Sequence, residues 1–433
     1  MFEVREKPDL VERALLVGFY FKSDEEAEAR ALLLELEELV NTLGIGVVGM
    51  ELIRVRAQHK AFICGTGKSD EVVELAREKN CDCLIIDNGL SPSQQRNWEG
   101  KAAITVIDRE EVILDIFANR ASTKEAQLQV ELARMEYALP RMAKMWGHLD
   151  REGGGGGSGG GGASRGMGEQ QIEIDRRLAR NKISRIKKEL EVVRRQRATR
   201  RKDRDRFEVP AAAIVGYTNA GKSTLLNKLS GSDVYEADQL FATLDPTTRS
   251  IELPGGQPLL LTDTVGFVRN LPHRLVEAFK STLEEAVLAD FLIHVLDASD
   301  PAVAAFYQTT ESVLEELGAG DKPTIIALNK VDRLSDGDDL LRLRERFPEA
   351  IEISAKTGLG MEELVKAAEN QLADRVQRRK YRIPQSRGDL TNLLHKDGKV
   401  IATDFEGNDV LVTAVVSPTL NGKLRDFLEE GAD

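Results

Sequence analysis

A glycine-rich turn between a strand-like and a helix-like segment constrains the fold of this chain more than any other feature. The turn reads Gly-Tyr-Thr-Asn-Ala-Gly-Lys-Ser from Gly216 to Ser223, with the apolar run 211–215 before it and the run 225–229 after it. This spacing is typical of a loop whose backbone amides surround phosphate groups at the start of a helix. The pattern predicts an α/β sheet here, with Lys222 bridging the β- and γ-phosphates of a nucleotide and Ser223 binding Mg²⁺.

The composition is that of an ordinary globular protein of 433 residues, which favours two to four domains. Acidic residues outnumber basic ones by 72 to 60, and the net charge of −12 argues against a uniformly basic nucleic-acid binder. The three cysteines, Cys64, Cys81 and Cys83, lack the spacing of a disulfide framework, and burial is expected for Cys81 and Cys83. The charged N-terminus and the lack of a long apolar run predict a cytoplasmic protein without a membrane span.

The alternation of apolar runs and turn signals divides the chain into four parts. They are an N-terminal α/β domain with a largely parallel sheet (1–120), a helical hairpin (121–207) with a glycine-rich tip (153–168), a second α/β domain around the phosphate loop (208–375) and a small C-terminal α+β domain (376–433). Strands separated by helices favour parallel sheets in both α/β parts. Ser23 is expected to cap the first helix, and residues 420–430 are expected to form the last one.

Apolar residues recur at alternating spacings of four and three through the predicted hairpin. Its first helix opens with a capping box at 122–125, contains Pro140, and is followed by a second helix over 170–206. The two heptad stripes consist of Leu128, Leu132, Met135, Leu139, Met142, Trp146 and Leu149, and of Ile183, Ile186, Leu190 and Val193. The helices are expected to pack along each other, with a kink at Pro140.

Two features of the hairpin bear on its partner. Nine glycines surround Ser158 between 153 and 162, a composition typical of a flexible linker, an engineered insertion, or a tip whose backbone approaches another surface closely. Residues 165–206 hold 16 basic and 7 acidic side chains, which fits either RNA contact or a solvated helix face. The candidate RNA-binding residues are Arg165, Arg176, Arg177, Arg194, Arg195, Arg197, Arg200 and Arg201.

Two strand ends after the phosphate loop carry motifs suited to phosphate and guanine. Asp263-Thr-Val-Gly266 follows an apolar run, so Asp263 suits a Mg²⁺ ion held through water and the Gly266 amide suits the γ-phosphate. Asn329-Lys-Val-Asp332 follows another run. The Asp332 carboxylate can accept from N1–H and the N2 amine of guanine together, a donor pair that adenine lacks.

A third strand end, Ser354-Ala-Lys356, would place the Ala355 amide at guanine O6. Taken singly, each of these motifs is also an ordinary loop after a strand. The predicted nucleotide-binding residues are Gly216, Tyr217, Thr218, Asn219, Ala220, Gly221, Lys222, Ser223, Thr224, Asp263, Thr264, Val265, Gly266, Asn329, Lys330, Asp332, Ser354, Ala355 and Lys356.

The four motifs, in this order, resemble the TRAFAC class of P-loop GTPases, whose nucleotide domain is a mostly parallel sheet with flanking helices. The resemblance implies a switch threonine that closes on Mg²⁺ and the γ-phosphate. Thr243 is the choice and Thr247 the alternative, and either could instead cap a turn. The resemblance to these GTPases also implies that Lys222, Thr243 and Gly266 are catalytic and that Ser223, Thr243 and Asp263 bind Mg²⁺.

Two positions refine the expected mechanism. Many relatives have a water-orienting Gln directly after Asp-Thr-Val-Gly, whereas this chain has Phe267, so slow intrinsic hydrolysis is expected. Asn219 resembles an asparagine that helps to bind K⁺ beside the phosphates in related GTPases. The alternative is an asparagine that stabilises the loop through hydrogen bonds.

The chain as a whole is similar to the HflX family of GTPases. The likeness lies in the stretches 91–97, 106–109, 114–121, 128–132, 166–171, 175–177 and 235–247. It implies binding of GTP and GDP and of the large ribosomal subunit with its rRNA, and splitting or rescue of stalled ribosomes under stress. A cytoplasmic monomer is expected, partly associated with ribosomes or membranes. The hairpin tip departs from the family's usual Arg-Gly-Pro-Gly-Glu-Thr-Gln, because residues 165–171 read Arg-Gly-Met-Gly-Glu-Gln-Gln.

Two other functions stay open at this point. A GTPase that regulates an RNA-modification or ribosome-assembly enzyme is one, although no catalytic cysteine or cofactor motif accompanies it. A nucleotide-gated RNA-binding scaffold with low turnover is the other, and Phe267 favours it. Residues 65–69, Gly-Thr-Gly-Lys-Ser, superficially resemble a second phosphate loop, but the upstream glycine is missing and a turn before a helix explains them equally well.

Overall fold

The computed structural model describes residues 11–142, 163–205, 209–231, 240–241, 243–271, 283–334, 337–372, 377–416 and 418–429. The chain forms two compact units. The first contains Met1–Val193 with the short segments Gln239–Phe241 and Arg269–Phe279, and the second contains Arg194–Asp238, Ala242–Val268 and Lys280–Asp433.

The first unit is built on a four-stranded, all-parallel sheet of order β2-β1-β3-β4. Its strands are β1 (Arg13–Tyr20), β2 (Gly46–Arg54), β3 (Cys83–Ile86) and β4 (Thr105–Asp108), and its helices are α1 (Glu26–Thr42), α2 (Thr66–Glu78), α3 (Pro92–Ala102) and α4 (Arg109–Arg120). Seven of the eight residues of β1 are buried, as expected for a parallel sheet covered on both faces. The prediction of an N-terminal α/β domain is confirmed.

The three cysteines lie in the hydrophobic core of this sheet or beside it, and all three are buried free thiols. Cys83 opens β3 and Cys81 lies two residues before it. Burial raises the pKa of the Cys64 and Cys81 thiols. The expected burial of Cys81 and Cys83 is therefore confirmed.

Two helix starts differ from the sequence prediction. Residues 23–25 form a 3₁₀ turn, and the Glu25 carboxylate, rather than the Ser23 hydroxyl, accepts from the Phe21 and Lys22 amides. The fifth helix, α5 (Lys124–Met142), is capped by Thr123, whose hydroxyl accepts from the Ala126 amide, so the cap lies one residue after the predicted Ser122.

The hairpin helices are α5 and α6 (Ala163–Asp205). The predicted stripes pack together, with Leu128, Leu132, Ile186 and Leu190 buried in one cluster. Ion pairs of 2.6–2.7 Å join Lys182 to Glu131 and Lys187 to Glu136. One correction concerns the tip predicted over 153–168: residues 163–168 are the first residues of α6. Pro140 lies inside α5, two residues before its described end at Met142. The glycine run 153–162, Trp146 and Leu149 lie outside the described residues, so the predicted kink is not tested.

The second unit is built on a six-stranded sheet of order β10-β9-β8-β5-β7-β6, in which only the β6–β7 pair is antiparallel. Its strands are β5 (Ala211–Gly216), β6 (Thr247–Glu252), β7 (Pro258–Asp263), β8 (Phe291–Asp297), β9 (Thr324–Asn329) and β10 (Ile351–Glu352), and its helices are α7 (Lys222–Ser230), α8 (Val303–Glu316), α9 (Gly337–Arg346) and α10 (Met361–Gln371). The carboxyl ends of parallel strands share one edge, so the ends of β5, β7 and β9 bring their motifs together.

The C-terminal part of the second unit is an antiparallel sheet of order β11-β13-β12 with its own core. Its elements are β11 (Gln377–Pro384), α11 (Gly388–Asp397), β12 (Lys399–Glu406), β13 (Asp409–Val416) and α12 (Pro418–Lys423). The helix predicted over 420–430 is shorter, because α12 ends at Lys423 and a 3₁₀ turn at 425–427 follows it. The fold is therefore a multidomain α/β structure with a small α+β segment at the end.

Candidate nucleotide site

The phosphate loop connects the end of β5 to the start of α7. Gly216 has φ +146°, and a Cβ there would lie 2.3 Å from the Val295 carbonyl oxygen. Gly221 has φ +94°, and a Cβ there would lie 2.3 Å from Asn329 Nδ2. Both positions require glycine, since they combine a left-handed backbone with a lack of space. The loop residue Tyr217 stacks on Phe306, with the ring centroids 3.8 Å apart.

Lys222 opens α7 and is 6% exposed. Its ammonium donates to the carbonyl oxygens of Gly216 (3.1 Å) and Tyr217 (2.7 Å). An ammonium has three donors, so one remains for an anion inside the loop. Burial lowers the pKa of Lys222 to about 8, a penalty on its charge that a bound phosphate would offset.

Three predicted Mg²⁺ residues meet beside the loop. The Ser223 hydroxyl donates to Asp263 Oδ2 at 2.7 Å and lies 2.8 Å from the Thr243 hydroxyl. Thr247 instead lies in β6, paired with Asp263 in the sheet register. Burial raises the pKa of Asp263, and its Oδ1 atom is buried without a hydrogen-bond partner in the described structure.

These residues fit Mg²⁺. Two hydroxyls and a carboxylate are hard oxygen donors, and the orphaned Oδ1 of Asp263 is a buried acceptor that a cation or its water would satisfy. When bound, Mg²⁺ would neutralise charge on the phosphates. Among the described residues, no cluster of three or more His, Cys, Asp and Glu side chains could hold a metal. The candidate Mg²⁺ site therefore consists of the two hydroxyls of Ser223 and Thr243 and the carboxylate of Asp263.

The Asp-Thr-Val-Gly segment is hydrogen-bonded to the phosphate loop. The Phe267 amide donates to the Gly216 carbonyl (3.2 Å), and the Phe267 carbonyl accepts from the Thr218 amide (2.8 Å). The Thr264 hydroxyl donates to the Ile214 carbonyl at 2.7 Å, and Val265 is buried. Gly266 lies so close that a Cβ on it would be 2.6 Å from Thr218 Cγ2, so this segment and the loop are in direct contact.

The two loops predicted to bind guanine lie at the ends of β9 and β10. Asn329 is 2% exposed; its Nδ2 donates to the Ala220 carbonyl (2.8 Å) and its Oδ1 accepts from the Ala355 amide (3.0 Å). Lys330 donates to the Asn219 carbonyl and to Asp297, each at 2.7 Å. The two hydrogen bonds of Asn329 were not predicted; the only signal for them in the sequence is an asparagine at the end of an apolar run.

The remaining predicted residues are placed as follows. Asp332 and Lys356 are exposed, Ser354 and Ala355 are buried, and Thr224 lies half-buried in the first turn of α7. The candidate RNA-binding arginines all lie on α6: Arg177, Arg194 and Arg195 are exposed and Arg176 is half-buried, while only the backbone is described for Arg165, Arg197, Arg200 and Arg201.

A parallel sheet that presents a phosphate loop at the end of one strand and an Asn-Lys-x-Asp loop two strands away is the nucleotide domain of a P-loop GTPase. Comparison with known proteins extends this to the full chain. Family models match residues 30–118 (GTP-binding GTPase N-terminal), 120–204 (GTP-binding GTPase Middle Region) and 211–330 (50S ribosome-binding GTPase).

Curated relatives cover almost the whole chain. GTPase HflX of Akkermansia muciniphila is 59% identical over 99% of this chain and 100% of its own length, and GTPase HflX of Escherichia coli is 41% identical over 90% and 89%. This chain belongs to the HflX family of GTPases. A GTP-binding protein from Sulfolobus solfataricus, solved with GDP, is 25% identical with a TM-score of 0.43 over 83% of this chain and 98% of that one.

None of the helices in the described part of the chain combines the length and the apolar character needed to cross a membrane.

Proposed function

We propose that this chain uses GTP binding and hydrolysis to control its attachment to the large ribosomal subunit, and that it splits or rescues stalled ribosomes under stress in the cytoplasm. GTP hydrolysis itself follows from membership of the HflX GTPase family. Support for the ribosomal partner comes from the family model over residues 211–330, which describes a 50S ribosome-binding GTPase.

The observation that carries the ribosomal part is the charge of helix α6. Lys182 and Lys187 are neutralised by glutamates of α5. By contrast, Arg176, Arg177 and Arg194 have no acidic side chain within ion-pair distance in the described part of the chain. Unpaired arginines along one helix are suited to the phosphates of RNA, because each contact releases a condensed counterion.

In the nucleotide site, we assign Lys222 to the β- and γ-phosphates and the Gly266 amide to the γ-phosphate. Ser223, Thr243 and Asp263 hold Mg²⁺, with Asp263 acting through water. The contacts of Ser223 with both Thr243 and Asp263 support this set and favour Thr243 over Thr247 as the switch residue. Asp332 and the Ala355 amide recognise guanine, and the exposed Asn219 contributes to a K⁺ site beside the phosphates.

The first test is GTP hydrolysis at fixed salt in K⁺ buffer, with and without purified large ribosomal subunits, using Lys222→Ala as the blank. Strong stimulation that is absent from the blank is the expected result. Replacing K⁺ by Na⁺ tests the cation separately. Intact GTP binding without any stimulation would contradict the ribosome-activated mechanism and favour the low-turnover scaffold, for which the apolar Phe267 is the specific argument.

A matched pair of variants tests the helix surface. Arg176→Ala/Arg177→Ala removes two unpaired charges, whereas Lys182→Ala/Lys187→Ala removes two paired ones. The arginine variant should weaken binding to large subunits and lower the slope of log affinity against log salt by about 2, since each phosphate contact contributes roughly 0.9. Equal weakening by the two double variants would contradict the assignment of these arginines to RNA.

A further inference from the structure

The position directly after Asp-Thr-Val-Gly cannot orient a water molecule in this protein. Phe267 offers no polar side-chain atom, and it is 1% exposed. Its amide and carbonyl are already engaged with Gly216 and Thr218 of the phosphate loop. Hydrolysis of GTP nevertheless needs a group that places the attacking water in line with the γ-phosphorus.

Thr218 has the properties of such a group. It is 6% exposed, and its Oγ1 atom is buried without a hydrogen-bond partner in the described structure. Its Cγ2 atom lies 2.6 Å from the point where a Cβ of Gly266 would be, and Lys222 Nζ lies 3.0 Å from the same point. The Thr218 side chain, Gly266 and the Lys222 ammonium therefore surround the place where the γ-phosphate is expected.

The buried hydroxyl of Thr218 has no hydrogen-bond partner in the described structure, which is unfavourable for the folded protein. A buried hydroxyl without a partner destabilises the folded state, and valine has the same shape without that penalty. Retaining threonine here therefore indicates that the hydroxyl meets a polar atom when the site is filled. Its amide is engaged with Phe267, so the side chain is the part of Thr218 left to act.

We propose that the Thr218 hydroxyl accepts a hydrogen bond from the attacking water and donates a hydrogen bond to a γ-phosphate oxygen. The water oxygen forms the new bond to the γ-phosphorus, and the bond from that phosphorus to the β–γ bridging oxygen breaks. GDP leaves with the bridging electron pair, and the water's protons remain with inorganic phosphate and solvent. Thr218 keeps its proton throughout, so it is a catalytic residue through hydrogen bonding and not a base.

The inference rests on GTP hydrolysis by this chain and is independent of the ribosomal proposal. It is tested on the full chain with Mg²⁺ and no ribosomes, by single-turnover hydrolysis, affinity for a fluorescent GTP analogue and melting temperature. Thr218→Val should slow hydrolysis about tenfold or more, leave the affinity within about twofold and leave the melting temperature equal or higher. Thr218→Ser, which keeps the hydroxyl, should restore hydrolysis.

Thr310 provides a matched control. It is another buried threonine whose hydroxyl lacks a partner in the described structure, but it lies within α8 and is not one of the predicted nucleotide-binding residues. Thr310→Val should leave hydrolysis unchanged. Hydrolysis at the wild-type rate in Thr218→Val would overturn the proposal, and so would a loss of affinity equal to the loss of rate or a failure of serine to rescue. If the valine variant does not fold, Thr218→Ala is measured in the same way.

Discussion

The sequence Gly-Lys-Ser occurs twice in the described chain, each time at the start of a helix, and the two copies have different environments. In the second unit, Lys222 is buried against the carbonyls of the phosphate loop and Ser223 contacts Asp263. In the first unit, Lys68 is 51% exposed and pairs with Glu71 of its own helix, while the Ser69 hydroxyl donates to the Thr66 carbonyl. The tripeptide alone therefore does not make a nucleotide site.

The chain that precedes each helix accounts for the difference. Before α7, strand β5 leads into a loop that curves at the left-handed Gly221. Asn329 stabilises this loop by donating a hydrogen bond to the Ala220 carbonyl. No strand leads directly into α2, and a Cβ on Gly67, in the first turn of that helix, would meet nothing within 4 Å. A phosphate site thus depends on the close approach of backbone segments, which the residue types at the helix start do not supply.

The largest contrast is expected at the two glycines. Gly221→Ala introduces a Cβ 2.3 Å from Asn329 Nδ2 at φ +94°. Strain of about 3 kcal/mol would weaken GTP binding about a hundredfold. Gly67→Ala should leave GTP affinity unchanged and keep or raise the melting temperature. The measurement is titration with a fluorescent GTP analogue. Equal affinities for the two variants would contradict the claim that Gly221, and not Gly67, belongs to the phosphate site.

The next largest difference is expected between the two lysines, Lys222 and Lys68, in the rate of GTP hydrolysis. Lys222→Ala removes a buried cation from the loop and should reduce GTP hydrolysis by about 10²–10³, whereas Lys68→Ala removes an exposed helix pair of little energetic value. Single-turnover assays with each variant measure both effects. A comparable loss in the Lys68 variant would mean that residues 65–69 take part in the reaction after all.

A third comparison uses two asparagines, one in each unit: Asn329 is the last residue of the inner strand β9, and Asn88 lies two residues after the inner strand β3. Asn329 joins the Ala220 carbonyl to the Ala355 amide, and Asn88 joins the amide (2.9 Å) and the carbonyl (3.2 Å) of Phe19. Replacing either with alanine should lower the free energy of unfolding by about 1–3 kcal/mol, because buried backbone groups lose their partners. Only Asn329→Ala should also weaken GTP binding, and denaturant melts combined with nucleotide titration distinguish the two effects.

The smallest effect expected is a pH dependence confined to the second unit. His294 in β8 is fully buried, and burial lowers its pKa although its Nδ1 lies 3.1 Å from Glu311. The unfolded chain therefore binds this proton more readily, so the free energy of unfolding falls as the pH drops below about 6.5, by at most about 1.4 kcal/mol per pH unit.

The control for that effect is His294→Gln, which cannot take up the proton. Its unfolding free energy should fall less steeply than that of the wild type between pH 7 and pH 5. Parallel curves for the two proteins would show that His294 does not contribute.

The parts of the site that depend on short stretches of chain were predictable from the sequence. The phosphate loop and the three later strand ends are each local patterns next to apolar runs, and the structure places them at one sheet edge. The heptad stripes likewise predicted the packing of α5 on α6, because helical periodicity fixes which face is apolar.

Long-range contacts were not predictable in this way. Asn329 and Ala220 are 109 residues apart, and nothing near either residue indicates their hydrogen bond. The missing partner of Thr218 depends on how Phe267 and Gly266 pack against the loop. Gly166 and Gly168 are typical of a loop, whereas the chain is helical at both positions.

The burial of all three cysteines has a practical consequence. Cys64, Cys81 and Cys83 are each at most 9% exposed and lie together in the first unit. A cysteine introduced on an exposed loop of the nucleotide domain, such as at Thr357, would be the one readily accessible thiol of the chain. A maleimide dye could then be attached at a single position without first removing natural cysteines, and nucleotide exchange could be followed by fluorescence in otherwise unaltered protein.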